Sequence, residues 1–104
     1  MSDVIEITSK ESFDEHISSG KVVVNFSGLT WCVPCQRFRP HWLRSAGEVE
    51  EFKFLEVDVD ANPDLVLEYG IQSVPTVLTF EDGLLKKDIT VPMPAIKFIQ
   101  ALRR

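Results

Sequence analysis

Two cysteines with two residues between them, Cys32 and Cys35, are the only thiols in the chain. This spacing places the second thiol about one helical turn after the first, so the two sulfurs lie within reach of each other. A thiolate at Cys32 could attack a disulfide and form a mixed disulfide, which Cys35 would then break by attacking Cys32. The pair therefore predicts thiol–disulfide exchange.

The residues around the pair predict that the first thiol lies at the start of a helix. Lys21–Phe26 is a β-branched and aromatic run typical of a buried strand, and Gln36–Glu51 is mostly compatible with a helix. Pro34 would fall in the first helical turn, where its missing N–H costs nothing. Free backbone N–H groups and the helix dipole at this end favour a thiolate over a thiol. We therefore expect Cys32 to be the nucleophile.

From the pair alone, three alternatives stay open: a structural disulfide, a metal site and two unrelated buried thiols. Closing a loop of about four residues stabilises by roughly 2 kcal/mol, against about 4.7 for a hundred-residue loop, so a purely stabilising bridge would span more chain. Zinc or an iron–sulfur cluster usually needs four protein ligands, and the only histidines are His16 and His41. The position between a strand and a helix argues against unrelated thiols.

The composition restricts the class of protein and its partners. With 104 residues and 44% hydrophobic residues, the chain is predicted to be a single domain over residues 1–104. A net charge of −5 with dispersed Lys and Arg argues against nucleic acid as a partner. No apolar stretch approaches the length of a membrane span, and Met1–Asp3 does not begin a signal peptide. We expect a cytoplasmic, monomeric protein that does not bind membranes, although export on a removed leader stays open.

The order of predicted elements indicates an α/β fold. Helices separate the early strands and an Asp82–Gly83 hairpin joins the last two, which predicts a mixed central sheet with helices on both faces. The predicted strands are Val4–Ile7, Lys21–Phe26, Phe52–Asp58, Val77–Phe80 and Leu84–Ile89. The predicted helix signals are a Thr8/Glu11 capping box, the cysteine pair, an Asn62 cap before Pro63, and Pro94 before a face of Ile96, Ile99 and Leu102.

The sequence resembles the thioredoxin family over nearly its whole length. The resemblance rests on Trp31–Cys35 (WCVPC), Pro40, Phe54–Asp60, Ser73–Thr76 (SVPT) and Asp82–Gly83. It implies a thioredoxin fold and a protein-disulfide oxidoreductase with no bound cofactor and no metal; a G-x-G-x-x-G dinucleotide motif is also absent. It implies disulfide-containing protein substrates and a dithiol donor such as thioredoxin reductase, with roles in electron transport and redox homeostasis.

The resemblance also implies the site residues. Cys32 would attack and Cys35 would resolve the mixed disulfide, and Pro75 matches the family's cis-proline beside the redox pair. A cis bond costs least before proline. The implied substrate groove consists of Trp31, Val33, Pro34, Val74, Pro75 and Val91.

Several positions depart from the family pattern. Val33 replaces the usual glycine, so we expect an altered reduction potential, and Val91 replaces another glycine where a side chain would narrow the groove. The family's buried aspartate aligns with Asn25, and an amide cannot act as a general base. Glu56 aligns with the usual lysine partner, so it would supply the carboxylate; alternatively, Asn25 is a satisfied strand residue and Glu56 faces solvent. The Ser27–Thr30 loop is one residue longer than usual and lacks the family's first tryptophan.

Two other functions stay open at this point. One is a specialised member with a single dedicated partner. The other is a non-catalytic module in which the groove around Trp31, Val74 and Pro75 binds a partner strand.

Overall fold

A mixed five-stranded sheet forms the centre of the computed structural model, which describes residues 4–104. The strands lie in the order β1-β3-β2-β4-β5; β3 pairs in parallel with β1 and β2, whereas β4 pairs antiparallel with β2 and β5. The outer strands are therefore β1 and β5. Their bounds are β1 Val4–Ile7, β2 Lys21–Ser27, β3 Phe52–Asp58, β4 Thr76–Glu81 and β5 Leu84–Ile89.

Four helices cover both faces of this sheet, as the sequence predicts. They are α1 Lys10–Ile17, α2 Val33–Glu48, α3 Pro63–Glu68 and α4 Ala95–Arg103. The first core, on one face, contains Phe13 of α1 and Leu65 of α3. The second core, on the other face, contains Trp42 of α2 and Phe98 of α4. The predicted α/β architecture is confirmed.

Aromatic packing in the second core fixes α2, the helix that carries the cysteines. The Trp42 ring lies 4.9 Å from the Phe54 ring of β3 and 5.9 Å from the Phe98 ring of α4, centroid to centroid. Phe38 meets Phe98 edge to face at 5.2 Å. Such pairs add about 0.5–1.5 kcal/mol each beyond their burial. The middle of the thiol-bearing helix is thereby held against the sheet and α4.

Two helix caps differ from the prediction. The N-cap of α1 is Ser9 rather than Thr8: its hydroxyl accepts the N–H of Ser12 at 3.1 Å. The first i to i−4 bond runs from Phe13 to the Ser9 carbonyl, so the helix begins one residue later than the capping box implied. Asn62 is the N-cap residue of α3, as predicted, but its side chain makes no capping hydrogen bond; its amide nitrogen donates instead to the carbonyls of Ile7 and Asp58.

The prediction of which α4 residues face the sheet is also partly wrong. Ile96 was expected to be buried, but it is 59% exposed, and Ile99 is only half-buried. Since the helix begins at Ala95, the residues that face the sheet are Ala95, Phe98 and Leu102. Of the predicted face, Leu102 is confirmed as a core residue.

The sheet face below α2 changes character towards the ends of the parallel strands. In β2, Val23 belongs to the second core, and the same face continues with Asn25 and Ser27. In the neighbouring strand, Asn25 lies opposite Glu56 and Ser27 lies opposite Asp58. Polar groups therefore collect below the start of α2, next to the cysteines.

Candidate active site

Cys32 and Cys35 meet at the first turn of α2, as their spacing predicts. Cys32 is the N-cap residue, and its Sγ accepts the backbone N–H of Cys35 at 3.1 Å. The two residues form a disulfide, with their Cα atoms 5.2 Å apart. Cys32 is 5% exposed and Cys35 is 1% exposed. An incoming sulfur would therefore reach Cys32 more easily, and the N–H of Cys35 is placed to stabilise charge on it.

Three hydrogen bonds hold the loop before α2, and one of them is made by the backbone of Cys32. The Gly28 carbonyl accepts the N–H of Cys32 at 2.8 Å and that of Trp31 at 3.1 Å. From the other side, the side-chain amide of Gln36 donates to the Leu29 carbonyl at 2.8 Å. The loop between β2 and α2 is thus closed on itself, and Cys32 lies on a hydrogen-bonded turn.

The Val74–Pro75 segment faces the cysteine pair. The Val74 carbonyl oxygen lies 3.6 Å from Cys32 Sγ. The peptide bond between Val74 and Pro75 is cis, as the family resemblance implies. A second cis bond, Val91–Pro92, was not predicted, and nothing in the sequence distinguishes it from the other X-Pro bonds.

The groove residues fall into two neighbouring pockets and an exposed helix start. Trp31 and Val74 line a pocket of about 300 Å³, here called the Trp31 pocket, together with Val59, Val66 and Ile71. Pro75 and Val91 line a second pocket of about 180 Å³. Val33 and Pro34 line neither of these pockets and lie exposed at the start of α2.

Two further residues hold Trp31 and were not predicted. Its indole Nε1–H donates to Asp60 Oδ2 at 2.6 Å, and its ring lies against Gly28. The side chain nevertheless remains 57% exposed. Asp60 belongs to the segment that carries the family resemblance, but no sequence signal links it to a residue 29 positions earlier.

Glu56 is buried below α2, so the alternative in which it faces solvent is wrong. Glu56 is 8% exposed, and both of its carboxylate oxygens accept Nη1–H of Arg39, at 2.9 and 2.8 Å. Arg39 lies one helical turn after Cys35 and was not predicted to be part of the site. Asn25 is 2% exposed, and its Oδ1 has no hydrogen-bond partner among residues 4–104, so it is not a satisfied strand residue.

A small polar pocket connects this region with the surface. It has a volume of about 200 Å³ and is lined by Glu6, Ser27, Leu29, Thr30, Glu56 and Asp58. Ser27 is 1% exposed, and its hydroxyl has no partner within the described part of the chain. The Glu56 carboxylate therefore adjoins a hollow bounded by polar groups.

The two histidines are engaged elsewhere. His41 Nδ1 accepts the N–H of Ala95 at the start of α4, at 3.2 Å, and His16 Nδ1 lies 3.4 Å from Lys53 Nζ. Between Val4 and Arg104, no three His, Cys, Asp or Glu side chains are grouped so that they could hold a metal ion. Within the same residues, no helix has the length and apolar character needed to span a membrane.

Comparison with known proteins assigns the chain to a family. The sequence model of the family described as Thioredoxin matches residues 4–104. A thioredoxin of Mycoplasma genitalium is 35% identical over 96 residues, which are 92% of this chain and 94% of that protein. A thioredoxin of Mycoplasma pneumoniae is 36% identical over 98 residues, 93% of this chain and 95% of the relative. The structure of Plasmodium falciparum thioredoxin superposes with a TM-score of 0.87 at 27% identity, covering 96% of this chain and 97% of that one.

The fold, the disulfide at the start of α2 and these comparisons agree with one another. Nothing among them favours a binding module without redox chemistry. The chain therefore belongs to the thioredoxin family and is a thiol–disulfide oxidoreductase that acts on protein disulfides.

Proposed function

We propose that Cys32 attacks the substrate disulfide and that Cys35 resolves the product. The Cys32 thiolate bonds to one substrate sulfur and releases the other as a thiolate. Cys35 then loses its proton and attacks Cys32 Sγ, which releases the second substrate thiol. Two electrons pass to the substrate, and the protein is left with the Cys32–Cys35 disulfide. The observation that carries this proposal is the N-cap position of Cys32, whose Sγ accepts the Cys35 N–H.

An insulin-reduction assay with two variants tests this assignment. Cys32→Ser should abolish turnover, because no thiolate remains to attack. Cys35→Ser should stop after the first step and accumulate a covalent adduct with insulin, detectable by mass spectrometry. Turnover by the Cys32→Ser variant, or the absence of an adduct with Cys35→Ser, would contradict the proposed order of attack.

The substrate segment is proposed to lie across Trp31, Val33, Pro34, Val74, Pro75 and Val91. Support comes from the position of the Val74 carbonyl, 3.6 Å from Cys32 Sγ, because a chain bound through its sulfur to Cys32 must pass this carbonyl. The exposed apolar side chains of Trp31 and Val33 border the same opening. An extended substrate segment could bind to the backbone of Val74 and to the apolar side chains on either side. Because backbone contacts do not depend on side-chain identity, such a site would bind segments of many sequences.

Glu56 is proposed to accept the proton that Cys35 loses. Three observations support it: Glu56 lies opposite Asn25 in the sheet, its carboxylate is buried, and it borders the polar pocket. Arg39 neutralises the buried charge, and the pocket offers a path for the proton to solvent. The family resemblance implies an aspartate at the position of Asn25, and the Asn25 amide is proposed to orient the polar group beside it rather than to take a proton.

The remaining proposals concern the cellular setting. They are a single domain over residues 1–104, a monomer, a cytoplasmic location, and electron transfer from a dithiol donor such as thioredoxin reductase. Family membership supports them. Insulin reduction with and without a thioredoxin reductase tests the donor, and sedimentation analysis tests the oligomeric state.

A further inference from the structure

Gly28 is the glycine at which a side chain would collide with the active site. A Cβ atom added to Gly28 would lie 2.5 Å from Cε2 and Cζ2 of Trp31 and 2.9 Å from its Nε1. Real Cβ atoms essentially never approach so closely, so the ring would have to move. A Cβ added at Gly20, Gly47, Gly70 or Gly83 would meet nothing within 4 Å.

The indole has little freedom to move without losing a bond. Its Nε1–H donates to Asp60 Oδ2 at 2.6 Å. Asp60 is itself held in place, because its backbone N–H donates to Asp58 Oδ1 at 3.0 Å. Shifting the ring away from residue 28 would lengthen or break the bond to Asp60. Gly28 and Asp60 together therefore hold an aromatic side chain that is more than half exposed.

Gly28 also fixes the backbone of the reacting cysteine. Its carbonyl accepts the N–H groups of both Trp31 and Cys32. One residue thus sets the position of the indole relative to Cys32. That position matters because the indole and Val74 bound the Trp31 pocket, and the Val74 carbonyl lies beside Cys32 Sγ.

We propose that Gly28 is a positioning residue: its lack of a side chain lets the Trp31 indole lie where it shapes the approach of protein substrates to Cys32. The inference rests on the proposed attack by Cys32. A larger residue at position 28 displaces the ring and weakens binding of the substrate segment, while the two thiols keep their geometry. The effect therefore falls on KM more than on kcat.

Gly28→Ala tests the proposal, with Gly47→Ala as the matched control. Gly47 lies in α2 with open space around it, so its substitution should leave insulin reduction and tryptophan fluorescence unchanged. Gly28→Ala should raise KM for insulin roughly three- to tenfold with a smaller change in kcat. It should also change the fluorescence emission, since Trp42, the other tryptophan, is fully buried away from position 28.

A double-mutant cycle separates positioning from a general effect on the loop. In a Trp31→Ala background, Gly28→Ala should cause no further rise in KM, because the ring it displaces is gone. A rise of the same size in both backgrounds would overturn the proposal, as would a Gly28→Ala protein indistinguishable from Gly47→Ala.

Asp60→Asn provides the second variant if Gly28→Ala does not fold. It weakens the bond that holds the other edge of the ring, so it should raise KM and change the emission in the same direction. Unchanged KM and emission in Asp60→Asn would count against the proposal. Failure of the Cys32 assignment would appear separately, as turnover by Cys32→Ser, whereas the fluorescence change does not depend on catalysis.

Discussion

Arg39 reaches from α2 to β3, where its Nη1 donates to both carboxylate oxygens of Glu56 at 2.9 and 2.8 Å. The pair spans the layer between the helix that carries the cysteines and the sheet below it. Its carboxylate lies on the strand residue opposite Asn25, a buried amide that carries no charge. The buried negative charge therefore lies on β3, and its cationic partner comes from α2.

Glu56→Gln should slow the second step of the reaction. If Glu56 accepts the Cys35 proton, its amide replacement cannot, and resolution should be about ten- to a hundredfold slower. Rapid-quench measurement of the decay of the mixed disulfide gives this rate. Glu6→Gln is the control, since Glu6 lines the same polar pocket but is exposed. Equal rates in the two variants would remove Glu56 from the mechanism.

Arg39→Gln should destabilise the fold by leaving the Glu56 carboxylate without its cation. Breaking a fully buried pair costs about 3–5 kcal/mol, but the Arg39 side chain is 39% exposed, so we expect about 1–2 kcal/mol. Urea unfolding measures the difference. Arg44→Gln is the matched variant, because Arg44 pairs with Glu48 on the surface of the same helix, and its loss should cost less than about 0.5 kcal/mol. Similar losses for both variants would mean that the Arg39–Glu56 pair acts as an ordinary surface pair.

Phe98→Ala should be among the most destabilising single changes in α4. Phe98 is fully buried between Phe38 and Trp42, so its truncation should cost about 3–5 kcal/mol. Ile96→Ala, two residues earlier, should change the free energy of unfolding by about 0.5 kcal/mol or less, because Ile96 is mostly exposed. Chemical unfolding of both variants checks the orientation of the helix, and the reverse ranking would show that α4 is rotated.

The Glu51–Arg103 pair predicts a pH-dependent contribution to stability. Hydrogen bonding from Arg103 lowers the pKa of Glu51 from 4.5 to about 2. Because the pKa is lower in the folded protein, the stabilisation is present above the unfolded value and is lost as the pH falls through the folded one. Arg103→Gln should therefore be slightly less stable than the parent at neutral pH, and the difference should shrink as the pH falls below 4.5 and vanish only below about 2. Thermal unfolding across this range measures it.

Lys97→Gln serves as the control for that experiment, since Lys97 is an exposed cation of the same helix. Its difference from the parent should not follow the titration of Glu51. A constant difference between Arg103→Gln and the parent across the acid range would contradict the assignment of the effect to Glu51.

Local signals predicted most of the framework. The runs that define β3 and β5 predicted their observed bounds, and the strand-like run before the cysteines with the helix-like run after them predicted that Cys32 lies at the start of a helix. The cis bond at Pro75 followed from the family resemblance. The errors are shifts of one or two residues. Ser9 rather than Thr8 is the N-cap of α1, and the start of α4 at Ala95 turns Phe98 rather than Ile96 towards the sheet.

The contacts that complete the site could not be predicted in the same way. Arg39 and Glu56 are 17 positions apart, and Trp31 and Asp60 are 29 apart. Each pair depends on the register between β2 and β3 and on where α2 crosses them. A single sequence shows the polar residues but not which of them meet. The role proposed for Gly28 could not be predicted either, because it depends on the Trp31 ring lying beside Gly28 in the folded protein.

The charged outer strand β5 has a consequence for solubility. An outer strand offers unpaired backbone groups to which a strand of another molecule could add, which is a common route to aggregation. In β5 the exposed Leu84 and Leu85 are followed directly by Lys86, Lys87 and Asp88. A second copy aligned along this edge would bring lysines close to lysines or would have to strip water from them. Replacing these lysines with threonine or valine should therefore increase the tendency of the protein to aggregate through this edge, which light scattering on storage would detect.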